Sequence, residues 1–222
     1  SDLLIPVDNI SGKLTKESLH AIDSALQKEE LVIFFPAGEV SRATINGISD
    51  GKWKKGFLKF AKRTQSPILP IHIHARNSVG FYTASLIYRP FAAVLLAHEM
   101  FRSKRSVFEF TIGELVAPQT ISNMNLPLKQ HAKLFRKHLY RISKGKKGIY
   151  KTEQCIAHPE SRQIIKQELK DGELLGRTTD NKMIYLVEYP KAPTLLNEIG
   201  RLREYTFRKV GEGTGRYKDI DK

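Results

Sequence analysis

The sequence predicts an α/β fold: a layered sheet of mostly parallel strands with helices on its faces, followed by a small α+β segment at the C-terminal end. Three observations carry this. Short apolar runs alternate with helix-period stretches over about the first 75 residues, the pattern of right-handed strand–helix–strand crossovers. One of those runs, LVIFF (Leu31–Phe35), is apolar at every position, as expected of a strand buried on both faces. Finally, SKGKKG (Ser143–Gly148) holds glycines and lysines and no apolar residue, and reads as a linker between two units, 1–145 and 150–222.

In chain order, LLIPV (Leu3–Val7) reads as a strand. Thr15 is placed to cap a helix in which Leu19, Ile22 and Leu26 recur at spacings of three and four. LVIFF follows, and then a polar loop rich in Gly, Ser and Asn. Trp53, Phe57, Phe60 and Ala61 mark a helix, with Lys52, Lys54, Lys55, Lys59 and Lys62 around its remaining surface. PILPIHIHA (Pro67–Ala75) alternates Leu69, Ile71 and Ile73 with Pro70, His72 and His74, a strand pattern.

Residues 80–101 are helical and apolar, broken at Pro90, and VFEFTIGE (Val107–Glu114) is a strand. Leu128, Ala132, Phe135, Leu139 and Ile142 alternate spacings of four and three, and Pro127 suits the first turn of the helix they predict. Beyond the linker come a helix over Pro159–Lys170, a hairpin around TTDNK (Thr178–Lys182) into MIYLVEY (Met183–Tyr189), and a last helix from Pro193 to Arg208. At roughly 70 residues this second unit is thin for an independent core.

Composition narrows the partners. With 37 basic against 23 acidic residues the net charge is +14, which attracts something anionic: nucleic acid, a phospholipid surface or an acidic carrier protein. Cys155 is the only cysteine, so no intrachain disulfide forms, and the usage fits a reducing compartment. The most apolar run, FAAVLLA (Phe91–Ala97), is far shorter than the ~20 residues that span a bilayer. The start, SDLLIPVDN, has neither the basic region nor the apolar run of a signal peptide. It also lacks an initiator Met and opens in a strand, so a further segment is expected upstream.

The densest chemistry is FFPAGEVSR (Phe34–Arg42), at the carboxyl end of an apolar run, where open α/β sheets place their sites. The blander reading is a tight turn shaped by Pro36 and Gly38, with Glu39 and Arg42 paired in solvent. What favours a site is the order of the blocks around it. FFPAGEVSR, WKKGFLKFA (Trp53–Ala61), SPILPIHI (Ser66–Ile73) and TIGELV (Thr111–Val116) together resemble the glycerolipid acyltransferase family. That family carries a strand ending Phe-Pro-Glu-Gly-Thr-Arg, a helix opening Lys-x-Gly and a strand reading Val-Pro-Val. LLIPVDN (Leu3–Asn9) is similar to the block before these, and the resemblance covers about residues 3–118. FPAGEVSR with ARNS (Ala75–Ser78) resembles more narrowly a bacterial branch that carries the hemolysin label, whose members are similar to amino-acid-lipid O-acyltransferases.

The resemblance implies transfer of a fatty acyl group from acyl-CoA or acyl carrier protein to a hydroxyl of a lyso-lipid, with no metal or prosthetic group. It also implies a cytoplasmic protein held peripherally at the inner membrane. The acceptor-binding residues it points to are Phe35, Pro36, Gly38, Glu39, Ser41, Arg42, Lys55, Gly56 and Pro70. Here the carboxylate follows the glycine, as Glu39, where the family has it before. That arrangement suits a zwitterionic acceptor, its ammonium on Glu39 and its anionic group on Arg42. The family's general base is the His of a His-x4-Asp motif, oriented by its Asp. None of the seven histidines here has a carboxylate five residues on, so the expected pair lies upstream of Ser1.

NEIGRLREYTFRKVGEGTGRYKDIDK (Asn197–Lys222) is similar to the opening of an N-acyltransferase domain of the acetyltransferase superfamily. Arg201, Arg203 and Phe207 are then the counterparts of residues near its acyl-carrier and acceptor site. His72 and His74 share a strand face but have no nearby third ligand, which argues against a metal. GEGTG (Gly211–Gly215) precedes no visible helix and so reads as a turn instead of a phosphate loop. Lys129, Lys133, Arg136, Lys137 and Arg141, with Lys144, Lys146 and Lys147 beyond, form either a solvated face or a patch for an anionic membrane or acyl carrier protein. The rival is a basic nucleic-acid-binding module without enzymatic activity. It rests on net charge alone, because no aromatic residues are interleaved for base stacking.

Overall fold

The computed structural model describes residues 15–44, 47–87, 89–102 and 106–220, without the side chains of 85–94. The expected LLIPV strand lies outside these residues. The chain divides into two compact units, Ser1–Lys151 and Thr152–Lys222.

In the first unit, Thr15 caps α1 (Lys16–Gln27), its hydroxyl accepting the Ser18 N–H at 3.1 Å. Of the predicted apolar stripe only Ile22 is fully buried. Leu31–Phe35 is the first correction: it is not a strand, and Leu31, Ile33 and Phe35 are 84%, 72% and 74% exposed. Only the alternate side is used, where Phe34 stacks on Phe60 with ring centres 5.7 Å apart. A backbone becomes a strand when a neighbour meets its N–H and C=O groups, and no described strand pairs with this one. The polar loop after it is instead a hairpin, β1 (Arg42–Thr44) against β2 (Gly47–Ser49).

Helix α2 (Gly56–Thr64) buries Phe57, Leu58, Phe60 and Ala61. β3 (Ile71–His74) pairs with β4 (Glu109–Ile112), and α3 (Val79–Ile87) and α4 (Arg89–Arg102) separate near Pro90 as expected. Ser78 and the buried Glu99 tie those helices: the Ser78 hydroxyl and backbone N–H donate to the carboxylate at 2.6 and 2.8 Å. α5 (Pro118–Asn123), with Pro118 in its first turn, is a helix the apolar pattern is too short to reveal.

The layered parallel sheet is the main correction. Among the described residues every sheet is two-stranded and antiparallel. In the β3–β4 ribbon Ile71 faces Ile112 and Ile73 faces Phe110, so apolar side chains share one face and His72 and His74 the other. That apolar face is exposed.

The core of the first unit is Phe57, Leu58, Val116, Ile121, Ala132, Phe135 and Tyr150. Phe135 lies at its centre, stacked on Tyr150 at 4.2 Å and edge-on to Phe57 at 5.7 Å. It projects from α6 (Leu128–Ile142), the helix predicted from the four–three spacing, with Pro127 at the cap position. The expected linker after α6 is an ordered helix stop. Gly145 takes φ of +66°, its N–H donates to the Ile142 carbonyl, and the Lys146 N–H donates to the Arg141 carbonyl. This turn carries Tyr150 back into the core.

The second unit holds α7 (Arg162–Lys170), the hairpin of β5 (Glu173–Arg177) and β6 (Met183–Leu186), and α8 (Pro193–Lys209). Glu168 of α7 caps α8, its carboxylate accepting the Thr194 and Leu195 N–H groups at 3.1 and 2.7 Å. Among the described residues no helix is long and apolar enough to cross a membrane.

Candidate functional site

The Pro36–Arg42 loop turns at Gly38, whose φ of +66° a side chain rarely adopts and whose N–H donates to the Phe35 carbonyl at 3.1 Å. The Pro36 carbonyl accepts the Lys54 N–H at 2.8 Å, which fastens the loop to the run entering α2. Lys54 lies close over the turn: a Cβ on Gly38 would sit 3.4 Å from its Nζ. Lys55 occupies the cap position of α2 and Gly56 opens the helix.

Beyond the turn, Arg42 Nη2 donates to Glu39 Oε2 at 2.5 Å. Both side chains are about two-fifths exposed, so the pair stands at the surface as the blander sequence reading anticipated. The Arg42 side chain makes no other hydrogen bond among the described residues, which leaves further N–H donors of the guanidinium fork for a ligand. Glu39 Oε1 rests over Gly51, where a Cβ would come within 2.5 Å of it.

Ser41 is not a free hydroxyl. It donates to Asp50 Oδ1 at 2.5 Å, and the other oxygen of Asp50 accepts Trp53 Nε1–H at 3.0 Å. The backbone of Asp50 is held from α6: its N–H donates to the Tyr140 hydroxyl at 2.9 Å, and its carbonyl accepts Arg136 Nη2–H at 2.6 Å. Arg136 is therefore turned inward, a correction to its assignment to the outer basic surface. Lys129, Lys133 and Lys137 are exposed as expected, while Arg141 donates to the Lys147 carbonyl at 2.7 Å. Burial raises the proton affinity of the Tyr140 hydroxyl above its ordinary range, and the Asp50 N–H that it accepts opposes that rise.

The histidines divide by environment. His72 stacks edge-on to His74 and Tyr140 at 4.5 and 5.6 Å, and its buried Nδ1 has no hydrogen-bond partner among the described residues. Burial, and then His74, depress its proton affinity, with Asp50 opposing. Both Asp50 oxygens are engaged elsewhere, so the two do not form a hydrogen-bonded base–carboxylate pair. His74 bonds the Thr111 hydroxyl at 2.7 Å. Among the described residues no group of three metal-ligating side chains occurs.

The structure thus brings Gly38, Glu39, Ser41 and Arg42 onto one strapped loop. Phe35 is exposed at its entrance. Pro70 is buried, its carbonyl accepting the Gly113 N–H at 2.9 Å, a bond that anchors β3 to β4. The sequence reading missed Asp50, Lys54 and Tyr140. Asp50 directly after the Gly-Ile-Ser strand was the available sign, but nothing in it announces a partner 90 residues away.

In the second unit Arg201 is bidentate to Glu198 at 2.8 and 2.6 Å, and Arg203 pairs with Asp219 at 3.1 Å. Phe207 is part-exposed on α8. GEGTG is closed around a side chain: Glu204, fully buried, accepts the Thr214 N–H and hydroxyl and the Gly215 N–H, with Arg208 completing its shell. Burial raises the proton affinity of Glu204, and these hydrogen bonds outweigh it and hold the carboxyl below its usual range.

The Acyltransferase family model matches residues 3–74, a span that includes the strapped loop, α2 and β3. A lyso-glycine lipid O-acyltransferase of Bacteroides thetaiotaomicron is 29% identical over 146 residues, 63% of this chain and 53% of that protein. Its namesake in Phocaeicola vulgatus is 29% identical over the same length. A glycine N(alpha)-acyltransferase of B. thetaiotaomicron is 43% identical over 67 residues, 30% of this chain and 20% of that protein. The chain spans about half the length of the O-acyltransferases it matches. No solved structure matches.

Proposed function

We propose, for a chain that belongs to the bacterial lipid acyltransferases, that the Pro36–Arg42 loop binds the polar headgroup of a lyso-lipid whose hydroxyl receives a fatty acyl group. The observation that carries this is the exposed Glu39–Arg42 pair at 2.5 Å, with Lys54 beside the turn. Glu39 orients Arg42, and an anionic group of the headgroup, such as a carboxylate, takes the N–H donors of the fork that Glu39 leaves free. The two O-acyltransferase relatives are named for lyso-glycine lipid, which supports an amino-acid lipid as acceptor.

The donor is acyl-CoA or acyl carrier protein, and Lys129, Lys133 and Lys137 of α6 offer either an anionic membrane or an acidic carrier a docking face. The general base is not His131 or His138, which are buried and hydrogen-bonded within the core. For Thr152–Lys222 we read the opening of an N-acyltransferase domain. This reading rests on the resemblance of Asn197–Lys222 to such an opening and is supported by the likeness of 67 residues of this chain to a glycine N(alpha)-acyltransferase.

The test is acylation of a lyso-glycine lipid by the full-length enzyme. Arg42→Ala removes charge-assisted hydrogen bonds of ~1.5–3 kcal/mol, or about 10- to 100-fold in kcat/KM. Glu39→Gln removes the charge that orients Arg42 and is expected to raise the acceptor KM. Unchanged kinetics in both variants would refute the headgroup reading.

A further inference from the structure

We infer that Asp50 is a positioning residue for the acceptor loop, and that with Gly51 it sets where the Glu39–Arg42 pair stands. The inference rests on the reading of that loop as the headgroup site.

Asp50 is tied at four points to three separate parts of the first unit. Its carboxylate takes Ser41 of the loop on Oδ1 and Trp53, before α2, on Oδ2. Its peptide groups are held by Tyr140 and Arg136 of α6. Helix α6 is the firm end of this chain of bonds, because Ala132, Phe135 and Leu139 anchor it in the core. The soft end is the loop. Apart from Ser41, its described tethers are the Pro36–Lys54 bond, the Gly38 turn and the β1–β2 register that sets Arg42 opposite Ser49.

Asp50 thus passes the rigidity of α6 to Ser41, between Glu39 and Arg42. Gly51 completes the device, since only a residue without Cβ lets Glu39 Oε1 lie where it does. A guanidinium that must meet the anionic group of a headgroup is sensitive to placement: a displacement of ~1 Å costs up to about 100-fold in a positioned reaction.

Trp53 is the only tryptophan of the chain and donates directly to Asp50, so its fluorescence reports on the strap. In the full-length enzyme, Asp50→Ala is expected to raise the KM for lyso-glycine lipid about tenfold, with the donor KM and the melting temperature little changed; Trp53 emission, read in the 222-residue chain, is expected to shift. Asp50→Asn keeps one acceptor oxygen and is expected to fall between wild type and Asp50→Ala. Gly51→Ala keeps Asp50 but displaces the Glu39 carboxylate, and is expected to raise the acceptor KM with Trp53 emission unchanged.

Asp50 is not a positioning residue if Asp50→Ala leaves the acceptor KM unchanged, or if kcat and the melting temperature fall while both KM values rise together. Arg42→Ala separates the two readings. A raised acceptor KM for Arg42→Ala with a normal one for Asp50→Ala keeps the headgroup site and overturns the strap. The reverse result keeps Asp50 as the determinant of acceptor binding and overturns the role of Arg42.

Discussion

His138 Nδ1 accepts two backbone hydrogen bonds from the segment that returns after α6, from Ile149 at 2.9 Å and from Tyr150 at 3.1 Å. A ring nitrogen that accepts carries no proton, so this histidine is neutral with its hydrogen on Nε2. The Tyr150 hydroxyl, raised by burial well above its ordinary range, meets His131 Nδ1 at 2.9 Å and donates to the His131 carbonyl at 3.2 Å. Burial depresses the proton affinity of both histidines.

A pH dependence of stability follows from that sign. The unfolded chain takes up protons near the ordinary histidine value of about 6.5, and the folded chain only at lower pH. The stabilisation is complete above that value and is lost as pH falls toward the folded values. Its slope is up to about 1.4 kcal/mol per pH unit for each histidine. Urea unfolding between pH 7.5 and pH 5 should show it, and His138→Gln should be less stable at neutral pH with a shallower slope. A slope unaltered by that change would contradict the assignment.

The Glu204 knot predicts a local effect in the second unit. Glu204→Ala leaves Arg208 facing a buried void and frees the Thr214 and Gly215 N–H groups. Breaking such a pair costs about 3 kcal/mol or more. Amide exchange of residues 211–215 should rise sharply, with exchange in α6 as the unchanged internal reference. Equal protection in the variant would show that the loop holds without the carboxylate.

Vesicle binding tests the face of α6. Each lysine near an anionic leaflet contributes about 1 kcal/mol, screened over roughly a Debye length. Sedimentation with phosphatidylglycerol vesicles should fall steeply with salt, and reversing Lys129, Lys133 and Lys137 to Glu should abolish it. Binding that is equal on neutral vesicles, or stronger to DNA than to anionic lipid, would reject the lipid assignment.

The exposed side chains of Leu31, Ile33 and Phe35 give a fourth test. An apolar patch of this kind binds ANS. The 222-residue chain should bind the dye at neutral pH, and changing the three residues to Ser should remove most of the signal without lowering helix content. Undiminished dye binding would move the apolar surface elsewhere, first to Ile71, Ile73, Phe110 and Ile112 on the exposed face of β3–β4.

What the sequence by itself determined is local in origin. Thr15 caps α1 through its own hydroxyl, and Phe135 and Leu139 reach the core because a spacing of four keeps side chains on one face of a helix. The Gly38 turn and the charge order of Glu39, Ser41 and Arg42 were legible for the same reason, since each interaction spans a few residues. The tertiary structure decided what depends on partners distant in the chain. An apolar run such as Leu31–Phe35 cannot specify whether a neighbouring strand meets it, and β3 pairs antiparallel with β4 through residues 35 to 41 places apart in the chain. Arg136 looked like one more surface cation, yet it turns inward because the Asp50 carbonyl lies there to receive it. Asp50 carries no periodicity or motif, so its bonds to Ser41, Trp53, Arg136 and Tyr140 exist only once folding has brought a hairpin, a helix entrance and α6 together.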